Sequence, residues 1–147
     1  MGNKPNRGFT LIELAVVVCI VAVLLMLALP AYQRQLWETR RYLGGAALLQ
    51  VMVRQEQYFL ENRRFAETLT ELAYPEHPYA INSQGSAVSA QAQNRIYLIE
   101  LSTRANAYTL SATPQLDQAG DDQCGTLRLS SIGVKQASGE GTDQTCW

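Results

Sequence analysis

From Leu14 to Leu29 the chain carries no charged and no strongly polar side chain, and after Pro30 polar residues return on a helical period. Counted from Phe9, the apolar segment is about 21 residues, roughly 31 Å of helix, which is enough to cross a bilayer core. Between Tyr32 and Arg63 there is no proline, the glycines are confined to Gly44 and Gly45, and Ala, Leu, Gln, Glu and Arg dominate. Leu48, Leu49, Met52 and Phe59 fall on one side of that stretch and Gln50, Arg54, Gln57 and Glu61 on the other, the pattern of a helix lying on a core. One helix is therefore predicted from about Thr10 to Asn62, with residues 9–29 as its membrane-length half and 30–62 as its second half. Pro30 removes a helix hydrogen bond and clashes with the preceding turn, so a kink is expected near Ala28 to Pro30. Gly44 and Gly45 suit a second bend and a close helix approach alike.

The pattern changes after Asn62. Residues 63–95 read as a connector: Arg63 to Leu72 as a tight turn with a short helical piece, then Pro75, Pro78, Gly85 and a Ser/Gln/Ala-rich stretch that break any period. Arg63 and Arg64 are read as a solvated face. A period of two appears over Arg95 to Thr103, where Ile96, Leu98 and Glu100 oppose Tyr97, Ile99 and Leu101. It continues through Tyr108, Leu110 and Ala112, then Leu127 and Leu129, with Val134 to Gln136 as a candidate fourth strand across the turn at Gly133. Three or four antiparallel strands over residues 96–137, packed on the apolar stripe of the helix, make an α+β head of residues 63–147. The 147-residue chain leaves room for one such domain beyond the apolar segment, not two.

Charge changes the picture at the N-terminus. Glu13 sits near the start of the apolar run, where a carboxylate costs about 2.5 to 3.5 kcal/mol on insertion scales, so an acid there marks function. Lys4 and Arg7 precede the run, and the positive-inside rule keeps them cytoplasmic. Everything after Pro30 then lies in a compartment where disulfides persist. An ordinary secretory signal fits poorly, because the apolar run is too long, Leu29 to Tyr32 is a poor exit site, and the small residue, Gly8, stands before the run.

Met1 to Gly8 followed by Phe9, Thr10, Leu11, Ile12 and Glu13 resembles the class III signal of the type IV pilin family. The resemblance implies a pilin fold, a long N-terminal helix on an antiparallel sheet, and a leader of residues 1–8 cut after Gly8 by a prepilin peptidase that also methylates Phe9. It implies that the precursor is a single-pass inner-membrane protein with its head in the periplasm, and that the processed chain later joins a pilus on the cell surface. A buried charge is tolerated when paired, so Glu13 of one subunit is expected to meet the ammonium of Phe9 on a neighbour and set axial register. The helix end, Glu56 to Asn62 followed by Arg64 and Phe65, is similar to that of minor pilins and of major pilins with small heads. The segment Tyr108 to Pro114, then Asp122 to Leu129, Gly133, Cys146 and Trp147, is similar to the minor pilin class called PilE. There the two cysteines bound the D-region, which implies a Cys124–Cys146 disulfide closing residues 124–146 and stabilising by about 3 kcal/mol on the chain-entropy estimate. Two free thiols are the alternative. Cys19, within the apolar run, reads as a small hydrophobe.

No catalytic constellation stands out. His77 is the only histidine, and Asp117, Asp121 and Asp122 read as a solvated loop because their spacing fails the EF-hand pattern. The chain is read as no enzyme, with no cofactor and no metal. The leading function is a structural subunit of a type IV pilus, a minor pilin that primes or enters the filament and supports twitching motility. Its partners would be the prepilin peptidase, the major pilin and other minor pilins, and the inner-membrane assembly platform. A type II secretion pseudopilin is the first alternative, and the cysteine-closed C-terminal region argues for the pilus. A DNA-uptake or adhesive minor pilin is the second. For that reading Arg95, Arg104 and Arg128 would have to line one groove, and a net charge of −1 with interspersed signs argues against DNA binding.

Overall fold

A computed structural model describes residues 9–147 and divides the chain after Gln35 into two compact units. Helix α1, Leu11–Asn62, contributes its first part to one unit and the residues from Leu36 onward to the other. Its bounds lie within a residue of those predicted. The backbone stays helical through Pro30, whose carbonyl accepts the Nε of Arg34 at 3.4 Å.

The second unit holds six strands where three or four were expected. They are β1 (Tyr79–Asn82), β2 (Ala87–Val88), β3 (Arg95–Arg104), β4 (Ala107–Pro114), β5 (Leu127–Ser130) and β6 (Lys135–Ala137), in one antiparallel sheet of order β2-β1-β3-β4-β5-β6. The two missed strands occupy the stretch read as connector. All four residues of β1 are buried, so it shows none of the alternation by which a half-exposed strand is recognised. Pro75 and Pro78 stand before β1 rather than inside it, and Gly85, at a φ of 74°, makes the turn into β2.

Alternation in β3 and β4 works as predicted. Tyr97, Ile99, Leu101, Tyr108, Leu110 and Ala112 face the core with Leu127 and Leu129 of β5, while Glu100, Ser102 and Arg104 face away. Against this face α1 lays Gly44, Leu48, Val51 and Gln55. The buried stripe is rotated from the one expected: Leu49 is 42% exposed, and Gln55 is fully buried. Gln55 belongs inside because its amide donates to the Ala66 carbonyl (3.0 Å) and accepts from the Ala66 N–H (2.9 Å), satisfying a chain segment that no ladder reaches. Gly44 serves close approach, since a Cβ there would stand 3.1 Å from the Tyr97 ring.

Arg63, at a φ of 58°, ends α1 by donating its N–H to the Phe59 carbonyl at 2.9 Å. The expected short helical piece is a 3-10 turn at Thr70–Leu72. Arg64 is more than a solvated charge: its Nη2 meets Glu71 at 2.8 Å, and Glu71 also accepts from the Tyr58 hydroxyl and from the N–H groups of Glu67 and Thr68. The Arg64 hydrogen bond is the main reason the Glu71 carboxyl is held down at about 2.

Candidate functional site

Three arrangements bear on function, and the first lies at the start of α1. The Thr10 N–H and hydroxyl both donate to Glu13 Oε2 at 2.9 Å, and the Glu13 N–H donates to Thr10 Oγ1 at 3.3 Å. This is a capping box, a Thr followed three residues later by a Glu that satisfies the N-terminal donors of its own helix. The Thr-x-x-Glu pattern at residues 10–13 is the sequence signal for this box, and it gives Thr10 a role that the sequence reading did not assign. Among the described residues Glu13 Oε1 has no hydrogen bond. Phe9 is 87% exposed, and every side chain from Leu11 to Leu29 is exposed. Gly8, the expected last residue of the leader, lies outside the described residues.

The second arrangement pins the loop that leads to the cysteines. Arg41 of α1 donates from Nε to Asp121 Oδ2 at 2.5 Å and from Nη2 to Asp121 Oδ1 at 2.6 Å, with both side chains buried. Gln118 Nε2 donates to Asp121 Oδ2, the Tyr97 hydroxyl and the Trp37 carbonyl. Asp121 is therefore no part of a solvated acidic loop: its partner lies 80 positions away in the chain, out of reach of any local pattern. The Asp121 hydrogen bond raises Arg41 above its already high value, and burial pushes the Tyr97 hydroxyl up to about 12. Three residues beyond Asp121, Cys124 is bonded to Cys146 at 2.04 Å, so the expected disulfide is present. It anchors a short helix, α2 (Asp143–Cys146), whose Asp143 accepts the outward N–H of Ala137 at 2.7 Å while Trp147 Nε1 donates to the Gln136 carbonyl. The C-terminal segment thus covers part of the β6 edge that would otherwise stand unpaired.

The third concerns the arginines. Arg104 and Arg128 line one open cleft of about 800 Å³ on the outer face of the sheet. Arg95 does not join them. It lies in a smaller cleft with Arg40, and its guanidinium is engaged with Gln115 and the Ala92 carbonyl.

The family described as type IV minor pilin ComP, DNA uptake sequence receptor, matches residues 30–128, and the prokaryotic N-terminal methylation motif matches residues 3–29. The chain belongs to the type IV minor pilins of the ComP family. Over 90 residues it is 32% identical to the type IV major pilin protein PilA of Myxococcus xanthus, a stretch covering 61% of this chain and 40% of that one. Over 93 residues it is 34% identical to a fimbrial protein of Neisseria meningitidis, covering 63% and 48%. The chain thus spans less than half the length of these two relatives. A solved type IV pilin from Shewanella oneidensis superposes with a TM-score of 0.47 at 19% identity, over 67% of this chain and 89% of that one.

Within this pilin the methylation motif takes in Gly8, Phe9 and Glu13, and the minor-pilin match takes in Pro30, Arg41, Asp121 and Cys124. Arg41 is the residue that sequence reasoning overlooked, and Asp121 the one it misplaced in a solvated loop. An unusual charge pair at the base of the D-region would have been the only signal, and neither residue sits in a motif. Among the described residues no cluster of three His, Cys, Asp or Glu is placed to hold a metal.

Proposed function

We propose that the protein is a minor subunit of a type IV pilus, cut after Gly8, methylated at Phe9, held in the inner membrane by the first part of α1 and then drawn into a filament. The observation that carries this reading is the methylation motif joined to a helix whose apolar side chains from Leu11 to Leu29 are all exposed. Such a surface needs lipid or other subunits around it. Its partners are the prepilin peptidase, the major pilin, other minor pilins and the inner-membrane assembly platform. The head stands on the periplasmic side, where its disulfide persists, and the subunit supports pilus biogenesis and twitching motility. In the filament Pro30 is the point where the helix yields. Glu13 keeps its capping contact through Oε2 and offers Oε1 to the ammonium of Phe9 on a neighbour. A Glu13→Ala chain is then left out of filaments while it is still cleaved, and its appearance in sheared pili at the native level would refute the pairing.

The reading is tested by mass spectrometry of filaments sheared from cells. Peptides of this chain with methylated Phe9, at low abundance beside a dominant pilin, support a minor pilin. Their absence, with the processed chain left in the membrane and secretion failing on deletion, favours the pseudopilin.

A second reading is capture of DNA by the head. The ComP family description favours it, and so does the joint presence of Arg104 and Arg128 in one cleft. These two observations now outweigh the argument from net charge.

A further inference from the structure

A second cleft, of about 160 Å³, opens where the second part of α1, the start of β3 and the 3-10 turn Leu116–Gly120 meet. It shares no lining residue with the cleft of Arg104 and Arg128. Arg40 of α1 lines it, half-buried, and makes no hydrogen bond or ion pair among the described residues. Arg95 of β3 lines it too. Its guanidinium is fixed by Gln115 Oε1 through Nε at 3.3 Å and by the Ala92 carbonyl through Nη1 at 2.9 Å, which leaves Nη2 without a partner. Gln118 is a fully buried part of the lining: its Nε2 is engaged with the Trp37 carbonyl, the Tyr97 hydroxyl and Asp121, and its Oε1 has no partner. Leu116, 47% exposed, lines the cleft with a left-handed φ of 52°, a conformation costly for any residue with a Cβ and one that concentrates at binding sites.

A half-buried guanidinium without an anion and a buried carbonyl oxygen without a donor make two different demands on one ligand. It must carry a negative charge and, beside it, an O–H or N–H. A phosphodiester has the charge but no donor, whereas a carboxylate next to hydroxyls has both. We propose that the cleft binds a carboxylated sugar, with the carboxylate between Arg40 and Arg95 and a ring hydroxyl donating to Gln118 Oε1 directly or through one water. The assignment goes beyond the pilus and DNA readings and depends on neither. Gln93, Asn94 and Ser83, whose side chains make no hydrogen bond among the described residues, offer donors and acceptors together, as vicinal hydroxyls require. Asp117, the one acid of the lining, accepts from hydroxyls and repels a second negative group, which favours a singly charged ring over a polyphosphate. With Leu116 and Ile96 as its two apolar lining residues, the cleft lacks the hydrophobic anchor pockets that a peptide uses.

The test titrates D-glucuronate into the full chain in detergent micelles, in a Trp147→Phe background where Trp37 is the remaining indole. Trp37 reports on the cleft because its Nε1 donates to the carbonyl of Asp117 at 3.0 Å. A saturable fluorescence change with a Kd on the order of 1 mM is expected, the affinity that ordinary ligand efficiency gives a single sugar. Calorimetry on the unsubstituted chain should return the same constant. Arg40→Gln, with its urea midpoint unchanged, and Arg95→Lys should each weaken binding about tenfold, and Arg63→Gln should leave it as it is. No saturable binding up to roughly 50 mM, or an Arg40→Gln variant that binds as wild type does, overturns the proposal. Acetate bound as tightly as glucuronate reduces the cleft to a bare anion site, and glucose bound as tightly removes the carboxylate from recognition. A tripeptide with a free C-terminal carboxylate bound more tightly makes the ligand a peptide. Each of these three results overturns the assignment to an acidic sugar.

Discussion

From Leu11 to Leu29 each side chain is apolar or small except Glu13, and each is exposed; from Leu36 onward the apolar residues of α1 divide, with Leu48 and Val51 buried and Val53 and Leu60 exposed. The two stretches of one helix differ in where their partners are. The second stretch packs on Tyr97, Ile99 and Leu110 of the sheet, while the side chains of the first are exposed. Apolar content alone therefore does not mark a core. A segment can be the most hydrophobic in a protein and contribute nothing to the stability of its head, if what it packs against is lipid or another subunit.

The largest effect should come from breaking the head where it is tied by charge. Arg41→Leu leaves the Asp121 carboxylate buried without its cation and should cost the head about 3 to 5 kcal/mol. Urea unfolding followed by the fluorescence of Trp37, whose Nε1 donates to the Asp117 carbonyl in this region, reads the loss. The double variant Arg41→Leu with Asp121→Leu should recover most of it, because an apolar pair of similar volume has no charge left to satisfy. Cys124→Ser should cost about 3 kcal/mol by the same measurement, and reducing agent should leave that variant unchanged while destabilising wild type.

A smaller loss is expected at the helix–sheet contact. Gly44→Val forces a side chain into the Tyr97 ring and should destabilise by about 1 to 3 kcal/mol. Acid gives a finer probe. The folded Glu71 carboxyl sits at about 2 against an ordinary 4.5, so its contribution is fully present above 4.5 and is lost as pH falls toward 2. Glu71→Gln should flatten the stability of the head across that window. The smallest effect sharpens the comparison most: Leu24→Ala, in the exposed apolar segment, should leave head stability within about 0.5 kcal/mol of wild type. Entry of that variant into filaments should nonetheless fall, and a head destabilised as much as by Gly44→Val would show that the segment packs on its own chain after all.

Much of this molecule could be read in advance from local pattern. The helix ran as predicted because a long apolar run followed by an uninterrupted 3.6-residue period leaves the backbone no other economical structure. Strands β3 to β6 were legible because one face of each pair is wet. Strand β1 was not, since Tyr79, Ala80 and Ile81 are buried together and erase the period of two. Gln55 was placed on no face, and Arg54 was put on the wet face although it donates to the Leu72 carbonyl and stacks over the Tyr74 ring. For these two, side-chain chemistry identifies a hydrogen-bonding residue but not the carbonyl it will find.

The sequence by itself determined the N-terminal signal, the capping of α1 by Thr10 and Glu13, the extent of that helix and the alternation of the outer strands. Each of these depends on residues within a few positions of one another, where chain geometry alone sets who meets whom. Only the tertiary structure decided that Arg41 meets Asp121, that Gly44 lies under Tyr97, and that Arg104 and Arg128 share a face from which Arg95 is absent. Those meetings join positions distant in the chain. They depend on strand register and on the rotation of one helix about its axis, and a change of one residue in register turns every side chain of a strand to the opposite face.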